Sequence, residues 1–356
     1  MEKGVIAQVI SRTSCSSGGS IQAVLLAKGI NDLGFKVYFV SKGGDCENRA
    51  IQLGIAHVKQ SMKWTPGSIV SFVSFVKKNN VKVLHAHKGK ALSFSILASF
   101  IIGGLKVFAN RGVSFSLSWT NRWKYRIPFT SGVICVSNHL RGELQKREGI
   151  PPYKIFTVYG SVDDRFFGSY DRKVVEKELG LGDKNFYISM IGNLRPQKGH
   201  KICASAIKEL SKKIKGLKFM VAGKEEGTII ESLKDLLGDD FIFLGYRRDV
   251  EKVIVASDIV VNASSFEGIP GAVRESMVLG RPVVVSSIPG NLEIVEDGNT
   301  GLVFRLDDVS QLERKILFLW KNPKVRRVLA LNARRFASKF TLRRRVESIL
   351  RLYGYM

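Results

Sequence analysis

The sequence predicts an α/β protein built from two doubly wound, Rossmann-like domains. Two observations carry this. Short apolar runs alternate with amphipathic stretches along the chain, and after a polar break the same scheme starts again. Alternating strands and helices imply parallel sheets with crossover helices. A length of 356 residues is long for one core and comfortable for two.

In the first half, 5–10, 36–40, 81–85, 106–109 and 132–136 read as strands, and 20–33 and 68–78 as helices. The second half offers strands at 186–191, 218–221, 241–243, 259–262 and 282–285. Helices fall at 201–213, 228–237, 250–256 and 271–279. The stretch 166–184 is polar and charged and lacks strand character, which places the domains at 1–165 and 166–334. From Asp308 onward the pattern is helical only, and a helix over about 335–356 is expected to pack back on the first domain. Two such domains facing each other leave a central cleft at the carboxyl ends of their strands, where ligands bind in such sheets.

The apolar fraction of 45% describes a globular chain. Cys15, Cys46, Cys135 and Cys203 are far apart and form no C-x-x-C pair, which points to reduced thiols and a cytoplasmic location. The N-terminus runs straight into a strand without the pattern of a signal peptide. The most apolar segment, 91–105, falls short of the about 20 residues a membrane span needs. It reads as a buried helix, with shallow membrane contact as the other reading.

Charge is the unusual bulk feature. The formal net charge is +25, and no Asp or Glu occurs between Glu47 and Glu143, while Lys77, Lys78, Lys88, Lys90, Arg122, Lys124 and Arg126 do. The C-terminal part adds Arg326, Arg327, Arg334, Arg335 and Arg343-Arg344-Arg345. Such an imbalance attracts polyanions: nucleic acid, anionic lipid headgroups or an acidic acceptor. Solvated basic faces are the plainer explanation.

The segment Ser264-Ser265-Phe266-Glu267-Gly268-Ile269-Pro270-Gly271-Ala272-Val273-Arg274-Glu275 follows a strand and leads into a helix starting near Pro270 or Gly271. Proline suits the first helical position, and glycine lets a ligand approach the backbone. The unpaired N–H groups of the helix start favour phosphate. Glu275 falls about one turn inside the helix and Glu267 in the loop before it, carboxylates suited to accepting bonds from sugar hydroxyls. Taken alone, the loop is equally a helix cap beside a surface glutamate.

The two glutamates seven residues apart, in the setting Phe-Glu-Gly-x-Pro, resemble the signature of the retaining glycosyltransferases of family 4, "glycosyl transferases group 1", some of which build lipopolysaccharide cores and lipid-linked glycans. The likeness continues through Gly280-Arg281-Pro282 and Gly298-Asn299-Thr300-Gly301. It implies the GT-B fold, with the first domain binding acceptor and the second binding the nucleotide-sugar donor. Gly192-Asn193-Leu194-Arg195-Pro196-Gln197-Lys198-Gly199 is similar to the family's cationic donor loop, in which an Arg and a Lys clamp the diphosphate. Many members carry Arg directly after the Gly; here that place is Asn193, and Arg195 is the substitute.

The resemblance assigns catalytic roles to Glu267, His87, Arg195 and Lys198. It assigns donor binding to Gly18, Gly19, Asn193, Tyr246, Glu275 and the backbone of Gly268, Ile269, Pro270, Gly271 and Ala272. Gly18 and Gly19 belong to Ser16-Ser17-Gly18-Gly19-Ser20, which looks like the family's Gly-Gly loop. His87 is the second histidine of Leu84-His85-Ala86-His87; such a pair shares one face of a strand. A buried, hydrogen-bonded histidine or half of a metal site are the alternatives, and His57, His139 and His200 have no spacing that completes the latter. Tyr246 and Arg247 are equally readable as surface residues.

The implied chemistry is transfer of a hexose-like unit from a nucleoside diphosphate sugar, with retention, without metal or other cofactor, and with UDP favoured over GDP or ADP. The implied acceptor is a glycan or glycolipid hydroxyl, and the basic first domain would lie peripherally on an anionic inner membrane face. One rival is a nucleotide-sugar epimerase of similar fold. The other is a basic nucleic-acid-binding module with Trp119, Trp123 and Tyr125 among cations. The second rival does not explain the two-glutamate loop, so no nucleic-acid partner is expected.

Overall fold

The structure is a computed structural model that describes residues 3–14, 17–113, 119–225 and 227–356. Cys15, Ser16 and the side chain of Trp119 lie outside the described residues. The chain divides into two compact units, 1–161 together with 341–356, and 162–340.

The first unit carries seven parallel strands: β1 (Val5–Ile10), β2 (Val37–Ser41), β3 (Ala56–Lys59), β4 (Val81–Ala86), β5 (Lys106–Arg111), β6 (Gly132–Cys135) and β7 (Ile155–Thr157). They run in the order β3-β2-β1-β4-β5-β6-β7. The order reverses between β1 and β4, which pair in parallel with Gln8 opposite His85. Strands with both faces covered read as continuous apolar runs. Gln8 and His85 are fully buried polar residues in two such runs, and they mark the reversal, where doubly wound sheets place their ligands.

The second unit repeats the plan with β8 (Phe186–Ile191), β9 (Leu217–Ala222), β10 (Phe241–Phe243), β11 (Ile259–Asn262), β12 (Val283–Ser286) and β13 (Leu302–Phe304), in the order β10-β9-β8-β11-β12-β13. Its reversal lies between β8 and β11. The loops that leave those two strands are the segments singled out in the sequence, 192–199 and 263–270.

The returning C-terminal helix is Leu342–Tyr353, shorter than the span read from sequence, and the preceding helix Pro323–Ala337 belongs to the second unit. The boundaries read at 165 and 334 therefore fall at 161 and 340. The backbone explains the shift: Val162 N–H donates to Phe340 O at 2.8 Å, closing the second unit's ends on each other. Ser161 is held on the first unit instead. Its N–H donates to Gln22 Oε1 (3.0 Å), and Arg345 Nη1 from the returning helix donates to the same oxygen (2.9 Å). Gly29 on helix Gly18–Asp32 lets the returning helix close in, since a Cβ there would stand 2.6 Å from Val346 Cγ2.

Three short edge-side strands, β3, β7 and β13, went unread; none exceeds four residues. The apolar segment 91–105 is a helix over Gly89–Ile102, but it is not buried throughout. Its first turns are, whereas Phe100 is 67% and Ile101 47% exposed. Among the described residues, no helix is long and apolar enough to cross a membrane.

Candidate functional site

In the second unit, three strand-end loops are laced together. Leaving β8, Gly192 has φ 149°, a backbone conformation suited to glycine, and its N–H donates to Ala222 O (2.9 Å). Leu194 N–H donates to Lys224 O, and Gly223 N–H to Gly245 O, both at 2.9 Å. Gly223 is required by crowding, because a Cβ there would sit 2.0 Å from Gly192 O. Asn193 takes part in this lacing: its Oδ1 accepts from Lys224 N (3.3 Å). The side chain at the place where many members carry Arg thus pins one loop to the next. Tyr246 follows, 46% exposed, and Arg247 closes on Asp249 with two bonds of 3.0 and 2.8 Å.

Arg195 opens a single helical turn, 196–198, and is exposed to solvent. Gly199 then takes a left-handed conformation (φ 74°) before helix His200–Ser211. Any side chain there would meet the loop after β11, with Ala263 O only 2.1 Å from its Cβ. This contact joins the loops, and Ser265 N–H donates across it to Gln197 O at 2.9 Å. As a result Lys198 reaches Glu267: its Nζ pairs with Glu267 Oε1 in a short contact, and Ser264 Oγ donates to the same oxygen at 3.0 Å. Two residues 69 apart in sequence, each assigned to the donor, stand as one ion pair. Both side chains are partly open, at 27% and 18%.

The loop Gly268–Pro270 leads into helix Gly271–Val278. Pro270 is its N-cap, not its first residue: its ψ of 124° is extended, and Arg274 N–H is the donor that reaches back to Pro270 O. The N–H groups of Gly271, Ala272 and Val273 therefore lack partners of their own helix. Glu275 folds back over this turn, with Oε1 3.7 Å from where a Gly271 Cβ would stand. Burial pushes its carboxyl up from the usual range, opposed by Arg274 and Arg165. A half-buried carboxylate beside a helix start, with no donor reaching it among the described residues, can accept bonds from hydroxyls.

In the first unit, His85 and His87 stack with ring centroids 4.5 Å apart. His87 Nε2 lies 2.7 Å from Gln8 Oε1, Gln8 Nε2 donates to Tyr353 Oη (3.4 Å), and that oxygen lies 2.6 Å from His85 Nδ1. The directions follow from one another. Gln8 donates with its nitrogen, so its oxygen accepts from His87 Nε2–H, while the Tyr353–His85 bond takes its direction from the His85 tautomer. His87 is left with Nδ1 as an acceptor and no charge, since burial, then Arg345 and Lys88, pull it down to about 3. His85 is likewise lowered well below its ordinary value, first by burial. Both histidines are thus engaged by their own fold. Gly18 and Gly19 start helix Gly18–Asp32, and a Cβ on either would meet nothing within 4 Å among the described residues. Neither is required by packing, and both leave the helix start uncovered.

Residues 171–336 match the family model of Glycosyl transferases group 1, and residues 16–166 match that of Glycosyltransferase Family 4. The chain is a family 4 glycosyltransferase. It is 26% identical over 307 residues to the Escherichia coli UDP-Gal:alpha-D-GlcNAc-diphosphoundecaprenol alpha-1,3-galactosyltransferase, covering 80% of this chain and 78% of that one. It is 28% identical over 264 residues to the Campylobacter jejuni N,N'-diacetylbacillosaminyl-diphospho-undecaprenol alpha-1,3-N-acetylgalactosaminyltransferase, covering 72% and 68%. In fold it is similar to Anabaena Alr3699/HepE in complex with UDP, with a TM-score of 0.88, 20% identity and 99% and 100% of the two chains covered. The fold is GT-B, with two parallel-sheet Rossmann-like domains, and the protein is a glycosyltransferase that uses nucleotide sugars.

The glycosyltransferase holds the two-glutamate loop with residues that sequence reasoning missed. Asn291, fully buried, donates to Asn262 Oδ1 (3.2 Å) and Ser286 O (2.9 Å), and Ser286 Oγ donates to Ser264 O (2.7 Å). Gly290 lies against the peptides of the signature itself: a Cβ would stand 2.6 Å from Glu267 O and 2.7 Å from Gly268 O. Pro289-Gly290-Asn291 after a strand signals a turn. Nothing in it says that the turn presses on residue 267.

Proposed function

We propose that this enzyme transfers a hexose-type unit, with retention and without a metal, from a UDP-sugar to a hydroxyl of a diphosphate-lipid-linked glycan. The observation that carries the donor side is the meeting of Lys198 and Glu267 beside the uncapped Gly271–Ala272–Val273 amides. A cation paired into the loop that leads to this helix start, together with its amides, suits the diphosphate of a leaving nucleotide, and pre-set donors of this kind stabilise a developing anion strongly. Arg195, three residues before Lys198, is a second cation for that diphosphate.

Before the donor arrives, Glu267 neutralises Lys198. On binding, the diphosphate takes over the lysine and the carboxylate turns to the sugar's hydroxyls. Glu275 accepts from the ribose hydroxyls, and Tyr246 lies by the base. The acceptor nitrogen of uncharged His87 receives a hydroxyl of the transferred sugar. No carboxylate is assigned as a covalent nucleophile: the leaving diphosphate departs and the acceptor enters on the same face, its proton passing to the diphosphate.

The acceptor assignment draws support from the names of the two curated relatives, both acting on diphosphoundecaprenol-linked sugars. It also draws on the +25 charge and the acid-free stretch of the first unit, which suit an anionic acceptor on an anionic membrane face. A thermal-shift series with UDP-, GDP- and ADP-sugars on the wild type, Lys198→Ala and Glu275→Ala tests the donor. UDP-sugars should stabilise the wild type most and the variants least. No stabilisation by any nucleotide sugar defeats the reading. The anomeric configuration of the product, read by NMR, decides retention.

A further inference from the structure

The helix Gly89–Ile102 buries one side in the first unit's core and leaves a second stripe only partly covered, open at Phe100. Ser93, Ile96, Leu97 and Phe100 recur three and four residues apart and so share a face. They line a pocket of about 660 Å3 whose opposite wall is Trp123, Ile127 and Phe129. That volume matches a ligand site. Trp64 forms its rim, 60% exposed and seated on Phe94 at 5.0 Å. Phe100 meets Phe129 edge to face at 5.4 Å.

Water is poorly served here. Ser93 Oγ already donates to Gly89 O (3.0 Å), and Lys124 Nζ to Asn121 Oδ1 (3.1 Å). A cavity with few polar partners holds water weakly, and an apolar group replaces it with gain. The charge of the lining has one sign. Lys90 and Lys124 are its only ionisable residues among those described, and the chain has no acid between Glu47 and Glu143. Burial lowers the Lys124 ammonium, a cost that an anion beside it would offset. An occupant must therefore be apolar along its length and anionic at one end. A nucleic-acid strand would need polar base contacts that Ile96, Leu97 and Ile127 do not make.

We propose that this pocket takes the polyprenyl chain of a diphosphate-linked acceptor, with the diphosphate at Lys90 and Lys124. This rests on the lipid-linked reading of the acceptor given above. It differs from adsorption to a bilayer, because one chain enters a concave site.

Farnesyl diphosphate is a soluble probe, and inorganic pyrophosphate the chainless control. Quenching of tryptophan emission should report farnesyl diphosphate binding at least about tenfold tighter than pyrophosphate. Phe100→Ser, at an exposed position, and Leu97→Asp should each weaken it by about tenfold or more. Lys90→Glu/Lys124→Glu should weaken both probes. A UDP thermal shift on every variant reports on the fold and on the donor site. Equal binding of the two probes, or Phe100→Ser binding like the wild type, overturns the pocket. So does self-association that Phe100→Ser abolishes without any farnesyl diphosphate binding, which assigns the face to a second copy. If UDP-sugars stabilise the protein while farnesyl diphosphate does not bind, the pocket falls and the glycosyltransferase reading stands. If UDP-sugars also fail, the donor reading has fallen separately.

Discussion

The two units carry their assigned residues in opposite electrical states. At the β1/β4 reversal, Gln8, His85, His87 and Tyr353 form a neutral hydrogen-bonded relay. At the β8/β11 reversal, Lys198, Glu267 and Ser264 form an ionic cluster that solvent still reaches. A neutral buried network fixes a geometry and keeps it, because breaking one link leaves a buried group unpaired. A partly exposed ion pair is worth little by itself and exchanges partners readily. The first unit therefore presents a set acceptor, and the second a charge that an incoming anion can claim.

The largest test of this contrast is Lys198→Ala. On the proposed role of Lys198 at the leaving diphosphate, its loss should lower kcat by about a hundred- to a thousandfold. The melting temperature should scarcely move, since the pair it breaks is open to solvent. Steady-state kinetics beside calorimetry would show it, and a large drop in stability would make the pair structural.

Acid should separate the units next. His85 and His87 in the first unit and His200 in the second are neutral in the folded state, with His87 held down to about 3 and His200 to about 4, first by burial. The unfolded chain takes up these protons near pH 6.5 and the folded one does not, so stability falls as pH drops from about 6.5 toward 4. The slope is about 1.4 kcal/mol per unit for each histidine. The first unit, where burial lowers His57 as well, has three such histidines against one and should loosen first, readable by hydrogen exchange at pH 7.0, 6.0 and 5.0. Equal loosening would contradict the contrast.

Gly290→Ala comes third. Its Cβ would meet the backbone of Glu267 and Gly268, costing about 1–3 kcal/mol and displacing the signature loop. Denaturant unfolding and UDP affinity should worsen together. The smallest effect belongs to Tyr353→Phe, which removes the hydroxyl between His85 and Gln8 and should cost about 1–2 kcal/mol. With Gln8 no longer held in one orientation, the acid limb of the kcat profile should rise in pH. An unchanged profile would show that Tyr353 matters for packing alone.

Much of this was legible in the sequence, for a local reason. Strands such as 186–191 and the loops at Lys198 and Glu267 declare themselves by short-range pattern, and the strand-end position of those loops follows from it. What stayed hidden depends on approach between distant residues. Gln8 and Tyr353 are 345 positions apart, and nothing near either shows that they share a bond. Gly199, Gly223 and Gly290 look like ordinary turn residues, yet each is fixed by a carbonyl from another loop. Asn193 is similar: the resemblance assigns it to donor binding, and nothing near it shows that its side chain also ties two loops together. The helix at 89–102 shows the converse limit. Hydropathy marked it as apolar but could not say which of its faces the core would cover.

The returning helix has a consequence for the order in which the protein can be made. Residues 162–340 form a unit from one continuous stretch, whereas the first unit needs 341–356 to cover Gly29 and to supply Arg345 and Tyr353. At about 5–20 residues per second, a ribosome takes roughly 10–40 s to cross the intervening stretch. Throughout that interval the nascent first half exists with an open seam along helix Gly18–Asp32 and an unfinished histidine relay. The usual vectorial order is thereby reversed: the second half can fold to completion first, and the first half closes last.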